Sequence, residues 1–245
     1  MSTEEIVKGK IYMLPSTLGG ESVTDIIPAD VISIATSIRF FAVEDIKMAR
    51  RLLRKMDREF PIDDSKFFIL NKKTPTDELY KMLKPVLNGE TMAVISDAGC
   101  PGVADPGAEL VALAHEHEVE VLPLVGPSSI LLGLMGSGFS GQQFTFHGYL
   151  PKERKDRVKK MKDFEGDTRR TGATHIFMDT PFRNMNVLDD LLNELSDQTK
   201  LCIAHNLTIP GGSVKTYSIS EWREKAYDLE KNPTMFLIGT SQAKG

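Results

Sequence analysis

The sequence predicts an α/β protein built as two α/β domains, and three observations predict it. Short apolar runs rich in β-branched residues alternate with helical patterns along the chain. The pair Gly126-Pro127 breaks that alternation, and a second series begins after it. A Gly/Pro-rich loop follows a wholly apolar strand and precedes a helix, the place where open α/β sheets take ligands.

Taken in order, the run from Lys10 to Leu14 reads as a strand. Pro28 opens a helix through Ile38, with proline at a favoured first-turn position. Arg39 to Val43 is a strand, Glu44 to Phe60 a helix and Lys66 to Leu70 a strand. Asp77 to Asn88 is helical, with Gly89 placed to end it. Thr91 to Ser96 is the apolar strand before the loop, Gly107 to His117 the helix after it, and Val119 to Val125 a further strand. This places a domain of mostly parallel sheet at residues 1–126. Residues 127–245 form the second domain, with a mixed sheet. Its strands are Phe144 to Leu150, Thr174 to Asp179, Leu201 to Asn206, Ser213 to Ile219 and Thr234 to Thr240. Its helices are Ser129 to Met135, Lys152 to Lys162, Pro181 to Leu195 and Glu221 to Leu229.

Composition narrows the function classes. The chain of 245 residues is 41% hydrophobic and 26% charged, a globular balance. Its formal net charge of −4 means that any nucleic-acid contact must come from a local basic patch. No apolar run is long enough to span a bilayer, and the polar start from Met1 to Lys10 lacks a signal-peptide core. The two cysteines, Cys100 and Cys202, fit no zinc spacing, so no metal is expected and a reducing cytoplasm is the natural compartment. His115-Glu116-His117-Glu118 is not a metal site, because residues two apart do not share a helix face.

The loop Ser96-Asp97-Ala98-Gly99-Cys100-Pro101-Gly102-Val103-Ala104-Asp105-Pro106-Gly107 is the most informative stretch. Its glycines allow close backbone approach to a ligand, and Pro101 and Pro106 stiffen it. It lacks the Lys-Ser/Thr ending of a phosphate loop, and Asp97 and Asp105 would repel phosphate. They suit a ligand with hydroxyls, an amine or a positive centre; S-adenosylmethionine carries all three. The plainer reading is a tight strand-to-helix connection. Gly136-Ser137-Gly138-Phe139-Ser140-Gly141 fits GxGxxG but follows a helix and precedes a strand, the reverse of a dinucleotide site.

Basic residues gather on the helix after the second strand. Lys47, Arg50, Arg51, Arg54, Lys55 and Arg58 lie there, with Lys47, Arg51, Arg54 and Arg58 on one face. A solvated face normally mixes signs, yet Asp57 is the only acid among them. Phosphate contact and plain solvation both remain open. A second cluster, Lys152, Arg154, Lys155, Arg157, Lys159, Lys160 and Lys162, contains Glu153 and Asp156, so plain solvation is the stronger reading there, although it begins at a loop expected to face the cleft. Glu44 and Asp45 sit at a strand end before the first basic helix, as an acceptor-binding or general-base pair or as its N-cap. His147 and His205 fall at strand ends, where a hydrogen-bonded structural role is the commoner one.

With these segments read, the chain resembles the tetrapyrrole-methylase (class III) methyltransferase superfamily. Within it the resemblance is strongest to the small-subunit ribosomal RNA cytidine-2′-O-methyltransferase family. It is carried by Gly9-Lys10-Ile11-Tyr12, Val43-Glu44-Asp45, the loop, Val125-Gly126-Pro127-Ser128-Ser129, Phe146-His147-Gly148-Tyr149-Leu150-Pro151-Lys152, Asp179-Thr180-Pro181-Phe182-Arg183 and Ala204-His205-Asn206-Leu207-Thr208. The resemblance implies a tetrapyrrole-methylase-like fold with S-adenosylmethionine in the interdomain cleft. It assigns cofactor contacts to Leu14, Asp97, Gly102, Val103, Ala104, Ser128, Ser129, Met178, Ala204 and Met235. It implies methyl transfer to ribosomal RNA or the small ribosomal subunit; Glu44 and Asp45, by their place at a strand end before the basic helix, are the catalytic candidates. Lys47, Arg50, Arg51, Arg54, Lys152 and Arg183 are the substrate-binding candidates, and a homodimer is expected.

Three departures bear on the acceptor. Thr17-Leu18-Gly19-Gly20 stands where the family has Pro-Ile-Gly-Asn. Asp179 to Arg183 stands for Glu-Ser-Pro-His-Arg, and His205 to Ile209 for Arg-Glu-Leu-Thr-Lys. The family's helical extension after the last strand is expected to be missing. Two other functions stay open: a methylase of a tetrapyrrole precursor or another small molecule, and a non-catalytic, ribosome-associated module that binds the cofactor. Label transfer from the cofactor to RNA separates the first from both.

Overall fold

The computed structural model describes residues 7–20, 22–225, 227–229 and 231–240. The expected polar start is outside this set as far as Ile6, and so is the tail from Ser241. The chain divides into two compact units, 1–128 and 129–245.

In unit 1, five parallel strands lie in the order β3-β2-β4-β1-β5. They are β1 (Lys10–Leu14), β2 (Phe40–Val43), β3 (Lys66–Ile69), β4 (Met92–Ile95) and β5 (Glu120–Pro123). The period-2 alternation of side chains sorts them onto two cores. Leu14, Phe41, Val43, Ala93 and Ile95 pack with α1 (Ala29–Ser37) and α2 (Ile46–Met56). Ile11, Ala42, Met92 and Val94 pack with α3 (Thr76–Leu87) and α4 (Ala108–Glu116) on the other face. The central strand β4 is buried along its whole length, as a strand with helices on both faces must be.

Unit 2 holds a mixed five-stranded sheet in the order β6-β7-β10-β8-β9. The strands are β6 (Phe144–Tyr149), β7 (Thr174–Met178), β8 (Lys200–His205), β9 (Ser213–Ser218) and β10 (Thr234–Gly239). Only the β6–β7 pair is parallel. One face packs on α5 (Ser129–Ser137) through Ile176, Ala204, Met235 and Leu237. The other packs on α6 (Arg154–Thr171), α7 (Asn184–Glu194) and α8 (Ile219–Arg223), around Phe164, Phe177, Trp222 and Phe236. Gly138, at φ +75°, ends α5 as a helix-terminating glycine.

Four helices differ from the sequence expectation, one of them the helix expected over Pro181 to Leu195, whose first three residues form a 3-10 turn before α7. The helix expected over Glu44 to Phe60 is α2, Ile46–Met56. Asp57 is extended and its side chain accepts from the Glu59 N–H, a local turn that competes with the helix. The helix expected to stop at Lys162 continues to Thr171, because Phe164 and Thr168 extend the buried stripe begun by Arg157 and Met161. The helix expected over Glu221 to Leu229 is α8, which starts earlier, where Ser218 and Glu221 form a capping box. Of that expected span, Ala226 lies outside the described residues.

Candidate functional site

In unit 1 the chain leaves β1 toward the α1–α2 face and leaves β4 toward α4 on the opposite face. Adjacent strands whose connections diverge open a crevice at their carboxyl ends. Two hydrogen bonds fix the floor of this crevice: Ser16 Oγ donates to Ser96 O at 2.6 Å, and Ser16 N to Gly99 O at 2.8 Å. The loop beyond β4 is pinned within itself, Gly102 N donating to Pro106 O at 3.2 Å. Gly99 takes φ +71°, and a Cβ there would lie 3.2 Å from Leu18 Cδ2. Ala104, at φ +65°, holds a left-handed conformation that costs an L-residue about 1 kcal/mol. Such strain is characteristic of functional turns. Gly126 packs on the end of β1, where a Cβ would come within 2.2 Å of Pro15 Cβ.

Acids ring this loop. Asp45 Oδ1 accepts from Met48 N at 2.9 Å, so Asp45 caps α2. Oε1 of Glu44 is buried with no hydrogen-bond partner among the described residues. Burial, then Asp105 and Asp97, raise the Glu44 carboxyl above its ordinary value, while the Asp97 backbone and Lys72 pull the other way. Burial and then Asp45 raise Asp97. Burial raises Asp105 as well, opposed by Lys72 and assisted by Asp97. Three carboxyls that resist ionisation together make a place that a positive centre would complete.

Beside them lies a cavity of about 250 Å³, lined among others by Ser16, Leu18, Asp45, Arg51, Lys55 and Asp97. Its walls therefore carry both signs of charge. Lys55 Nζ donates to Gly20 O at 3.2 Å. The other basic residues diverge from here. Lys47 is exposed, Arg50 stacks over the Phe67 ring at 5.3 Å, and Arg54 donates to the Arg58 carbonyl. Arg58 lies beyond the end of α2, so the expected four-residue face is cut to Lys47, Arg51 and Arg54.

The remaining expected cofactor residues fall as follows. Leu14 is fully buried in the α1–α2 core, so only its backbone can face a ligand. Gly102 takes φ +78°, and Val103 is half-exposed. Ser128 directly precedes α5 and Ser129 is its first residue. In unit 2, Met178, Met235 and Ala204 are neighbours in register across β7, β10 and β8. Ala204 and Met235 are buried on the α5 side, where Gly133 stands over them. Met178, at the strand end, is only partly buried.

Of the two remaining substrate candidates, Lys152 is exposed just before α6. Arg183 turns inward instead, donating to Pro151 O at 2.9 Å and lying 3.0 Å from Asp179 Oδ2. His205 Nε2 is buried without a partner among the described residues. His117 is bonded to the Tyr80 hydroxyl at 2.7 Å, and no group of three metal-ligating side chains occurs among the described residues. Sequence reasoning missed Lys72, whose charge reaches the acid cluster from beyond β3, and it marked Phe182 only as a departure from the family motif, not as an exposed ring. Neither sits in a periodic pattern that could have pointed to it.

No protein-family model matches the chain. Curated relatives do. A protein of Vibrio cholerae named ribosomal RNA small subunit methyltransferase I is 30% identical over 231 residues, covering 93% of this chain and 76% of the relative. The protein of the same name from Synechocystis is 30% identical over 200 residues, covering 82% and 67%. That from Escherichia coli O157:H7 is 27% identical over 240 residues, covering 97% and 80%. Among solved structures, the methyltransferase CobJ aligns with TM-score 0.62 at 16% identity over 95% of each chain. A cobalt precorrin-4 methyltransferase aligns with TM-score 0.59 at 15% identity over 94% of each. The fold is thus that of the class III tetrapyrrole methyltransferases.

Proposed function

The chain belongs to the ribosomal RNA small subunit methyltransferase I family, and on that footing we propose that it transfers a methyl group from S-adenosylmethionine to small-subunit ribosomal RNA, at the ribose 2′-hydroxyl of a cytidine. The observation that carries this reading is the loop beyond β4. Its backbone is fixed by Gly99, Gly102 and Ala104 in left-handed conformations, and it is ringed by Glu44, Asp97 and Asp105, whose carboxyls are all raised. A sulfonium with an amine and a diol suits that ring: it supplies the positive charge that the acids lack and the hydroxyls that they bond.

The cofactor, when bound, supplies an activated methyl group. The work left to the residues is alignment and proton removal. Asp97, Gly102, Val103 and Ala104 are proposed to hold the cofactor in unit 1. The row of Met178, Met235 and Ala204 offers apolar contact in unit 2. The cavity next to the loop suits the acceptor, with Arg51 and Lys55 for phosphate and Asp45 for a ribose hydroxyl. Glu44, whose raised carboxyl holds a proton more readily than a free one, is the proposed base. Lys47, Arg50 and Arg54 would add salt-dependent affinity without reading sequence. We also propose a homodimer. No helix among the described residues is long and apolar enough to cross a membrane, and we propose a cytoplasmic location.

The test is transfer of labelled methyl from S-adenosylmethionine to small ribosomal subunits that lack the modification. Label in a ribose 2′-O-methyl group supports the reading. Label found only on small molecules, or none on any RNA, overturns it.

A further inference from the structure

We propose that Phe182 is a stacking platform for an unpaired base of the RNA. This inference rests on the reading of the chain as an RNA methyltransferase and adds how the RNA is gripped. Phe182 is 82% exposed, the most exposed aromatic ring among the described residues. A phenylalanine so open on a floppy tip would mean little, but this one is rigidly presented. Pro181–Arg183 form a 3-10 turn, closed by Arg183 N donating to Thr180 O at 2.8 Å. The side chains that follow are both directed inward. Arg183 bonds Pro151 O, and Asn184, fully buried, donates to Asn232 O at 2.8 Å. Only the ring between Pro181 and Arg183 is left facing solvent.

Its surroundings fit a nucleobase better than an apolar protein surface. Arg183 ties the turn to Pro151, and Leu150 N donates to Met178 O, so the turn and the segment Tyr149 to Lys152 border one end of the sheet. Tyr149 there is 57% exposed. Lys152 and Lys155 are exposed and make no ion pair among the described residues, whereas nearby Arg154 is held by Asp190 and Glu194. The other large exposed apolar side chains of unit 2 lie elsewhere: Phe144 starts β6 at its opposite end, and Leu131 and Met135 are on α5. Two exposed rings beside a segment that carries the exposed Lys152 and Lys155, interleaved with Glu153 and Asp156, fit single-stranded RNA binding, in which bases stack and phosphates meet cations. The turn also begins three residues beyond Met178, so a base held here would flank the proposed donor site in unit 2.

The experiment uses the full chain and a short oligouridylate, with an RNA duplex of equal length as control. The protein has a single tryptophan, Trp222, which is 1% exposed, so Phe182→Trp adds one solvent-exposed reporter. Its emission should be quenched by the oligouridylate and not by the duplex. Phe182→Ala should weaken oligouridylate binding about ten-fold, equivalent to about 1.4 kcal/mol. Phe182→Tyr should restore it, and the affinity for S-adenosylhomocysteine should not move in any variant. Unchanged RNA affinity in Phe182→Ala, with the unaltered protein still methylating small subunits, overturns the platform and leaves the methyltransferase reading standing. Failure of the unaltered protein to bind or methylate RNA overturns both. A change of dimer to monomer in Phe182→Ala without RNA would assign the ring to a protein interface and also overturn the proposal.

Discussion

His147 Nε2 lies 2.8 Å from His175 Nδ1, and His175 Nε2 lies 3.0 Å from Asp167 Oδ2. The carboxylate can only accept, so His175 donates from Nε2, accepts at Nδ1, and His147 donates to it. The ring of Phe164 stacks on both imidazoles, at 4.0 Å from His147 and 5.1 Å from His175. Burial, His175 and Lys160 push His147 down to about 4, with Asp167 opposing. Burial lowers His175 too, again opposed by Asp167.

A pH dependence follows from that pair. Both histidines bind protons less readily folded than unfolded, so acid favours the unfolded chain. The stability they contribute is complete above the ordinary histidine value of 6.5 and is lost as pH falls toward about 4. The urea midpoint should therefore drop between about pH 7 and about pH 5. His147→Phe should flatten that drop while keeping the stack on Phe164. An equally steep drop in the variant would show that other groups cause it.

The buried pair of Arg157 and Asp190 gives a second prediction. Arg157 Nη2 lies 2.6 Å from Asp190 Oδ2, and both side chains are 7% exposed. Arg157 also donates to Lys152 O at 2.9 Å, so it holds the segment beside Phe182. Arg157→Met leaves a buried carboxylate with only the exposed Arg154 and should cost about 3 kcal/mol. The double change Arg157→Met with Asp190→Leu should recover most of it, since an apolar pair of similar size avoids the desolvation cost. Thermal melts of the three variants check this. A double variant as unstable as the single one would contradict it.

Much of this architecture is legible in the sequence, and the reasons are local. The run Met92–Ile95 could only be a strand buried on both faces, and Gly99, Gly102 and Gly107 announce a turn needing positive φ. What was not legible depends on tertiary partners. The second half of α6 reads as a polar tail until Phe164 and Thr168 find a sheet to cover. His147, Asp167 and His175 come from one helix and two strands, and nothing in their spacing brings them together. Arg183 looks like a substrate contact by motif, yet Asp179 and Pro151 take its guanidinium, while Phe182 beside it, marked in the sequence only as a departure from that motif, faces solvent.

Gly126 is predicted to be irreplaceable for a packing reason. A methyl group there would lie 2.2 Å from Pro15 Cβ and 2.3 Å from its Cγ, atoms of a closed ring rather than the free end of a flexible side chain. Gly126→Ala should cost about 1–3 kcal/mol. Because Pro15 adjoins Ser16, which ties β1 to the loop, S-adenosylhomocysteine binding should weaken by more than the loss of folded protein explains. Calorimetry on the folded fraction checks this, and unchanged affinity would separate Pro15 from the site.

Glu44→Gln gives the last test, because its effects on stability and on activity should have opposite signs. The folded carboxyl is raised above its ordinary value by burial, Asp105 and Asp97. Ionised Glu44 is therefore disfavoured in the fold, and stability is lost as pH rises from the unfolded value through the folded one. At neutral pH the charge is a cost that function retains. Removing it should raise the melting temperature by about 2 °C and lower methyl transfer to small subunits by about a hundred-fold. Binding of S-adenosylmethionine should stabilise the variant less than the unaltered protein, because one of three acids facing the sulfonium is neutral. A variant that melts lower while transferring methyl at the full rate would remove Glu44 from the reaction and make its carboxylate a structural anion.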